Sequence, residues 1–115
     1  MGYRGATVVS WRGARPGVST EQGLGVLASS LAYYDDLAKA GRISSYRVYG
    51  GTQSDSGMLI IEGALDELVG LAVEATTLKF LAQAHNVVHD VRVEHFAGGS
   101  AEDATSYYLA GLQAV

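Results

Sequence analysis

A chain of 115 residues with 48% hydrophobic and 17% charged content has the make-up of one globular domain and is long enough to bury a core without staples. It contains no cysteine, which excludes disulfide frameworks, thiol catalysis and cysteine-ligated zinc. Its net charge of −4 argues against nucleic acid and anionic membranes as partners, because both need a basic surface.

No apolar run reaches the length of a membrane span, and the opening residues show neither an apolar signal core nor a myristoylation pattern. A cytoplasmic protein with no membrane partner is the expectation. Ala6 to Arg12 carries Val8, Val9 and Trp11 in a β-prone run that Gly13 and Pro16-Gly17 close, so it reads as a first strand. Ser19-Thr20-Glu21-Gln22 matches a capping box, in which the serine hydroxyl and the glutamine side chain satisfy each other's backbone amides. The helix that starts there carries an apolar stripe at Leu24, Leu27, Leu31, Tyr34 and Ala38 and ends at Gly41, a span of about 22 residues and roughly 33 Å. Ile43 to Gly50 and Gly57 to Glu62 flank the polar cluster 50–56 and read as a hairpin. Leu65 to His85 keeps helical spacing, with the β-branched pair Thr76-Thr77 as the expected kink or break. Val87 to Phe96 alternates as a fourth strand, Gly98-Gly99 breaks it, and Ser100 opens a last helix over 100–112.

The order β-α-β-β-α-β with an appended helix is the split βαβ, ferredoxin-like pattern of the α+β class: a four-stranded antiparallel sheet with its helices on one face. The whole of 1–115 reads as a single domain, with its core over 6–97. Within it, Leu37-Ala38-Lys39-Ala40-Gly41-Arg42-Ile43, the glycine-containing turn, Gly57-Met58-Leu59-Ile60-Ile61-Glu62 and Val91-Arg92-Val93-Glu94-His95-Phe96 resemble the YCII-related proteins and the wider dimeric α+β barrel superfamily. That resemblance implies the barrel architecture and a homodimer. The YCII-related histidine and Pro-Phe have no counterpart, since Tyr33-Tyr34 and Lys79-Phe80 stand in those regions, and no catalytic residue is carried over. The superfamily includes cofactor-independent oxygenases, isomerases and haem-binding enzymes beside many proteins without an assigned activity, and fold alone does not choose among them.

The two-residue period of strands sorts side chains into two sets. Thr7, Val9, Trp11, Tyr46, Val48, Leu59, Ile61, Val87, His89, Val91, Val93 and His95 form the set expected under the helices. Val8, Ser10, Arg12, Arg47, Tyr49, Met58, Ile60, Glu62, Asp90, Arg92 and Glu94 form the other, which suits a solvated face, a paired-charge dimer interface, or an anion site built on arginine forks.

His89 and His95 are the candidate proton acceptors, because imidazole titrates near neutrality. Hydrogen-bonded structural histidines are the plainer reading. Six residues apart on a strand, about 20 Å, they cannot share a metal, and no metal or other cofactor is expected; haem ligation by either ranks last. Gly23-Leu24-Gly25-Val26-Leu27-Ala28 fits a dinucleotide pattern on paper but lies inside a capped helix, so its glycines are read as allowing close approach of another segment. Asp35 and Asp36 point about 100° apart on the helix and read as solvated charges. Seven tyrosines suit an interface or a flat ligand, and the last helix is expected on a partner subunit or over a cavity mouth.

Two functions fit. One is a homodimeric, non-catalytic or small-molecule-binding module, with Trp11, Tyr34 and Tyr46 contacting an apolar ligand or Arg12, Arg47 and Arg92 an anionic one. The other is a cofactor-independent oxygenase or isomerase that uses His89 or His95 in an enclosed cavity shaped by Trp11 and Tyr34. The sequence leaves open whether the protein is an enzyme.

Overall fold

The computed structural model describes residues 2–113. Strand β1 (Arg4–Trp11) and a two-residue strand β2 (Gly13–Ala14) precede helix α1 (Thr20–Lys39). The hairpin β3 (Ser45–Gly50) and β4 (Gly57–Ala64) leads into helices α2 (Leu65–Ala72) and α3 (Ala75–Val87). A second short strand β5 (Val88–His89), strand β6 (Arg92–Ala97) and helix α4 (Ala101–Gln113) complete the chain. The main sheet has the order β3-β4-β1-β6 with every pair antiparallel. This is the ferredoxin-like α+β fold expected from the element order.

The register places Thr7 opposite Ile61 and His95, Val9 opposite Leu59 and Val93, and Tyr46 opposite Ile61. These are members of the set expected under the helices. Val9, Leu59 and Ile61 from the sheet meet Tyr34 and Leu37 of α1, Ile43, and Leu68 and Leu71 of α2 in one buried cluster. Val8, Ser10, Met58, Ile60, Arg47, Glu94 and Arg92 fall on the other face.

Both ends of α1 use local chemistry. Ser19 Oγ accepts from the Gln22 amide at 3.1 Å and Gln22 Oε1 accepts from the Ser19 amide at 2.9 Å, the reciprocal capping box. At the other end Gly41 has φ +76°, which glycine adopts at no steric cost, and the Arg42 amide returns to the Leu37 carbonyl at 3.0 Å. That return aims Arg42 at α2 and α3. Its guanidinium donates to Glu67 Oε1 at 2.9 Å and to both oxygens of Glu74 at 3.1 and 2.5 Å, and this pairing holds the Glu74 carboxyl below its ordinary range.

The expected second helix is broken at Val73–Glu74, before Thr76-Thr77. Thr77 lies within α3, buried, with its Oγ1 2.7 Å from the Tyr33 hydroxyl. The expected continuous strand 87–96 is also corrected. Val87 ends α3, Val88 and His89 pair with Ala14 and Gly13, and Asp90 has φ 55°, a left-handed residue that stops the ladder before β6 begins.

Candidate functional site

The buried residues of α1 are Tyr34 and Leu37, both in its second half. Its first half carries Gly23 and Gly25, and a Cβ built at either meets nothing within 4 Å. The expectation that these glycines admit a close neighbour is therefore overturned, because they face open space. Standing off the sheet in this way, the first half of α1 leaves a cavity of about 460 Å³, within the usual range for small-molecule sites.

Val9 and Trp11 of β1 and Leu59 of β4 line the cavity on the sheet side. Val26, Leu27, Ser30 and Tyr34 of α1 face Phe80, Leu81, Ala84 and Val87 of α3 across it, and Val88 and Val91 close one end. Gly50, Gly51, Ser54, Asp55 and Ser56 form a polar rim where the space meets solvent. Apart from this rim and Ser19, Thr20, Ser30 and the Tyr34 hydroxyl, the walls are apolar. Trp11 is set by its cross-strand neighbour Gly57, where a Cβ would come within 2.5 Å of the indole Cζ2, so only glycine lets the ring lie there. The opposite wall is braced by Tyr33, whose ring stacks on Phe80 at 5.1 Å and 23° and packs against Tyr34 at 5.2 Å.

Tyr34 and Asp55 are the ionisable residues among those lining the cavity. Burial, with a smaller contribution from Tyr33, pushes the Tyr34 hydroxyl up to about 12. At neutral pH it is uncharged and can both donate and accept a hydrogen bond. Ser30 Oγ donates to the Val26 carbonyl at 3.0 Å within α1.

Trp11 and Tyr34 are the two candidate residues that the structure brings together at this cavity. Tyr46 points from β3 to α1, where its hydroxyl donates to Asp35 Oδ1 at 3.2 Å. Asp35 also pairs with Lys39 at 2.9 Å, and hydrogen bonds from Lys39 and Tyr46 hold its carboxyl below the ordinary range. It is thus tied into the fold and not simply solvated. Arg47 pairs with Glu62, lowering the Glu62 carboxyl. Arg92 is exposed at the start of β6, and Arg12 is exposed just past β1. No arginine lines the cavity.

The histidines also lie outside it. His95 Nδ1 is 2.9 Å from Thr7 Oγ1 on the helix face of the sheet. His89 sits on β5, over Gly13 and with its Nδ1 3.3 Å from Asp90 Oδ2. The lining residues that sequence reasoning missed come from α3 and the first half of α1. Their helical stripe was legible, but a stripe does not tell a packed face from one that stands off. Among the described residues, no group of three or more His, Asp or Glu is placed to hold a metal ion, and no helix is long and apolar enough to cross a membrane.

No protein-family profile matches the chain, and no curated protein does. Solved structures do. A dimeric ferredoxin-like protein of unknown function from Thermobifida fusca matches at TM-score 0.63 and 13% identity, over 84% of this chain and 92% of its own. The chain has the fold of dimeric ferredoxin-like proteins. SnoaB, a cofactor-independent oxygenase from Streptomyces nogalater, matches at TM-score 0.60 and 12% identity, over 85% and 93%. The hydroxynitrile lyase of Passiflora edulis matches at 0.64 and 7%, over 84% and 95%. Neighbours of unknown function, an oxygenase and a lyase share one architecture, so the activity resides in site residues and not in the fold.

Proposed function

We propose that this chain is a homodimeric small-molecule-binding protein that takes a flat, neutral, largely apolar ligand bearing one hydrogen-bonding oxygen. The observation that carries this reading is the cavity itself: apolar walls, Trp11 held by Gly57, and the neutral Tyr34 hydroxyl in one wall. Trp11 and Phe80 offer aromatic surface to a planar ring, and Tyr34 offers a partner to its oxygen. Asp55 at the rim and the absence of arginine from the lining support a neutral ligand over an anionic one. Binding is favoured over turnover because His89 and His95, the proton acceptors that an oxygenase or isomerase reading would use, lie outside the cavity. A cytoplasmic location remains part of the proposal.

The dimer is supported by the described dimeric neighbours and by the outer sheet face. There Val8, Met58 and Ile60 lie among Arg92, Glu94 and the Arg47–Glu62 pair, a mixture that a two-fold contact can match with itself.

The test uses Trp11, the single tryptophan of the chain, as reporter. Titration with 2-acetylnaphthalene, a neutral ring with a carbonyl acceptor, is expected to quench its fluorescence at tenfold or more lower concentration than 2-naphthoate. Equal or tighter binding of the naphthoate, or no quenching by either, would overturn the ligand assignment.

A further inference from the structure

Helix α4 has no buried residue, yet it is apolar on two neighbouring sides. One side meets the body of the molecule: Ala104 lies against Gly98, and the Tyr107 ring meets Tyr3 edge-on at 5.3 Å. The other presents Tyr108, Leu109 and Leu112, which are 71%, 52% and 72% exposed. An apolar stripe on a helix is ordinarily the side that is covered, and 13 residues held on one side alone form a marginal helix in water.

The shape of the chain agrees. Its radius of gyration is 15.4 Å and its extents are 50 × 31 × 22 Å, against about 13 Å for a compact chain of this length. Nor does α4 reach the mouth of its own cavity. It leaves the sheet at the Gly5–Ala97 end, whereas Trp11, Gly57 and the rim lie at the other.

From these observations we infer that the Tyr108–Leu109–Leu112 stripe is a contact surface for a second copy of this chain, so that each copy lays its α4 on the other. The inference rests on the homodimer proposed above and extends it. A standard interface draws roughly 20–30 residues from each side, and the outer face of the main sheet offers only about a dozen. The stripe supplies apolar area that the sheet face lacks. An anionic membrane is a poor occupant, because α4 carries Glu102 and Asp103 and no Lys or Arg.

The experiment compares the full chain with Leu109→Asp/Leu112→Asp and with Ser106→Asp, an exposed position on the same helix outside the stripe. Each is diluted and its dimer fraction read by sedimentation velocity, with circular dichroism confirming that the body remains folded. The expected result is a dimeric full chain, a dissociation constant raised at least tenfold by the double substitution, and little change with Ser106→Asp. If the full chain is dimeric and the double variant dissociates at the same concentration, the arm contact is overturned while the homodimer stands. If the full chain is monomeric at every concentration, both are overturned. Recruitment of the monomer to phosphatidylserine vesicles would likewise contradict the assignment and name the membrane instead.

Discussion

The layer between sheet and helices has two ends built differently. At one, Leu37, Ile43, Ile61, Leu68 and Leu71 close into a buried cluster, clamped from outside by Arg42 across Glu67 and Glu74. At the other, Trp11 meets a helix that stands away from it, with Val9 and Leu59 on the border between cluster and cavity, and the space is left open. Both ends draw on the same apolar alphabet, so hydrophobicity does not separate them. The difference is in placement: the second half of α1 puts Tyr34 and Leu37 into the cluster beside α2, whereas Leu24, Val26 and Leu27 of its first half line open space. The closed end supplies stability, and the open end supplies a place for a ligand.

This comparison is broken most severely by Leu68→Ala. Leu68 is 2% exposed, and truncating such a residue costs about 2–5 kcal/mol, read as a fall in the urea midpoint at unchanged slope. Gly57→Ala acts at the open end. The new methyl group must displace the Trp11 ring, at a cost of about 1–3 kcal/mol, with a shifted Trp11 emission maximum as its signature. Tyr34→Phe sharpens the contrast, since it leaves the ring in place but removes the donor; weakening of 2-acetylnaphthalene binding by roughly three- to tenfold is expected, the worth of one hydrogen bond.

Acid tests the clamp. Glu74 has a carboxyl pKa lowered by Arg42 in the folded chain, so its contribution is fully present above the unfolded carboxylate value of about 4.3 and is lost as the pH falls through the lowered folded value. Arg42→Met is expected to flatten the stability profile in that window and to leave ligand binding at neutral pH unchanged. Leu24→Ala is the mildest of the set. Leu24 lines the cavity but is 58% exposed, so stability should stay within about 0.5 kcal/mol while the ligand titration weakens.

Much of the fold was legible because it is encoded locally. Ser19 and Gln22 announce the start of α1, Gly41 its end, and alternation along β1 and β4 sorts inward from outward residues. The break at Asp90 was not legible, since a lone Asp, though tolerant of the left-handed region, is a weak signal inside an alternating run, and that break moves His89 off the main sheet. Of the candidate site, Trp11 and Tyr34 were legible as large inward aromatics. The partners of Tyr46 and Arg47 were not, because Asp35 and Glu62 reach them only through tertiary contacts. Nor was the cavity, which depends on how far α1 stands from the sheet. The two tyrosine pairs differ in the structure: Tyr34 is buried beside half-buried Tyr33, whereas Tyr107 and Tyr108 are both exposed.

The most direct test of the open end is Ala84→Phe, which adds a ring on the α3 wall of the cavity. If the space is preformed and receives the ligand, the variant unfolds at the same or a higher denaturant concentration than the parent chain, as cavity-filling substitutions do, and Trp11 no longer responds to 2-acetylnaphthalene. A loss of about 1–3 kcal/mol, the cost of overpacking a filled core, with the Trp11 response intact would contradict the account.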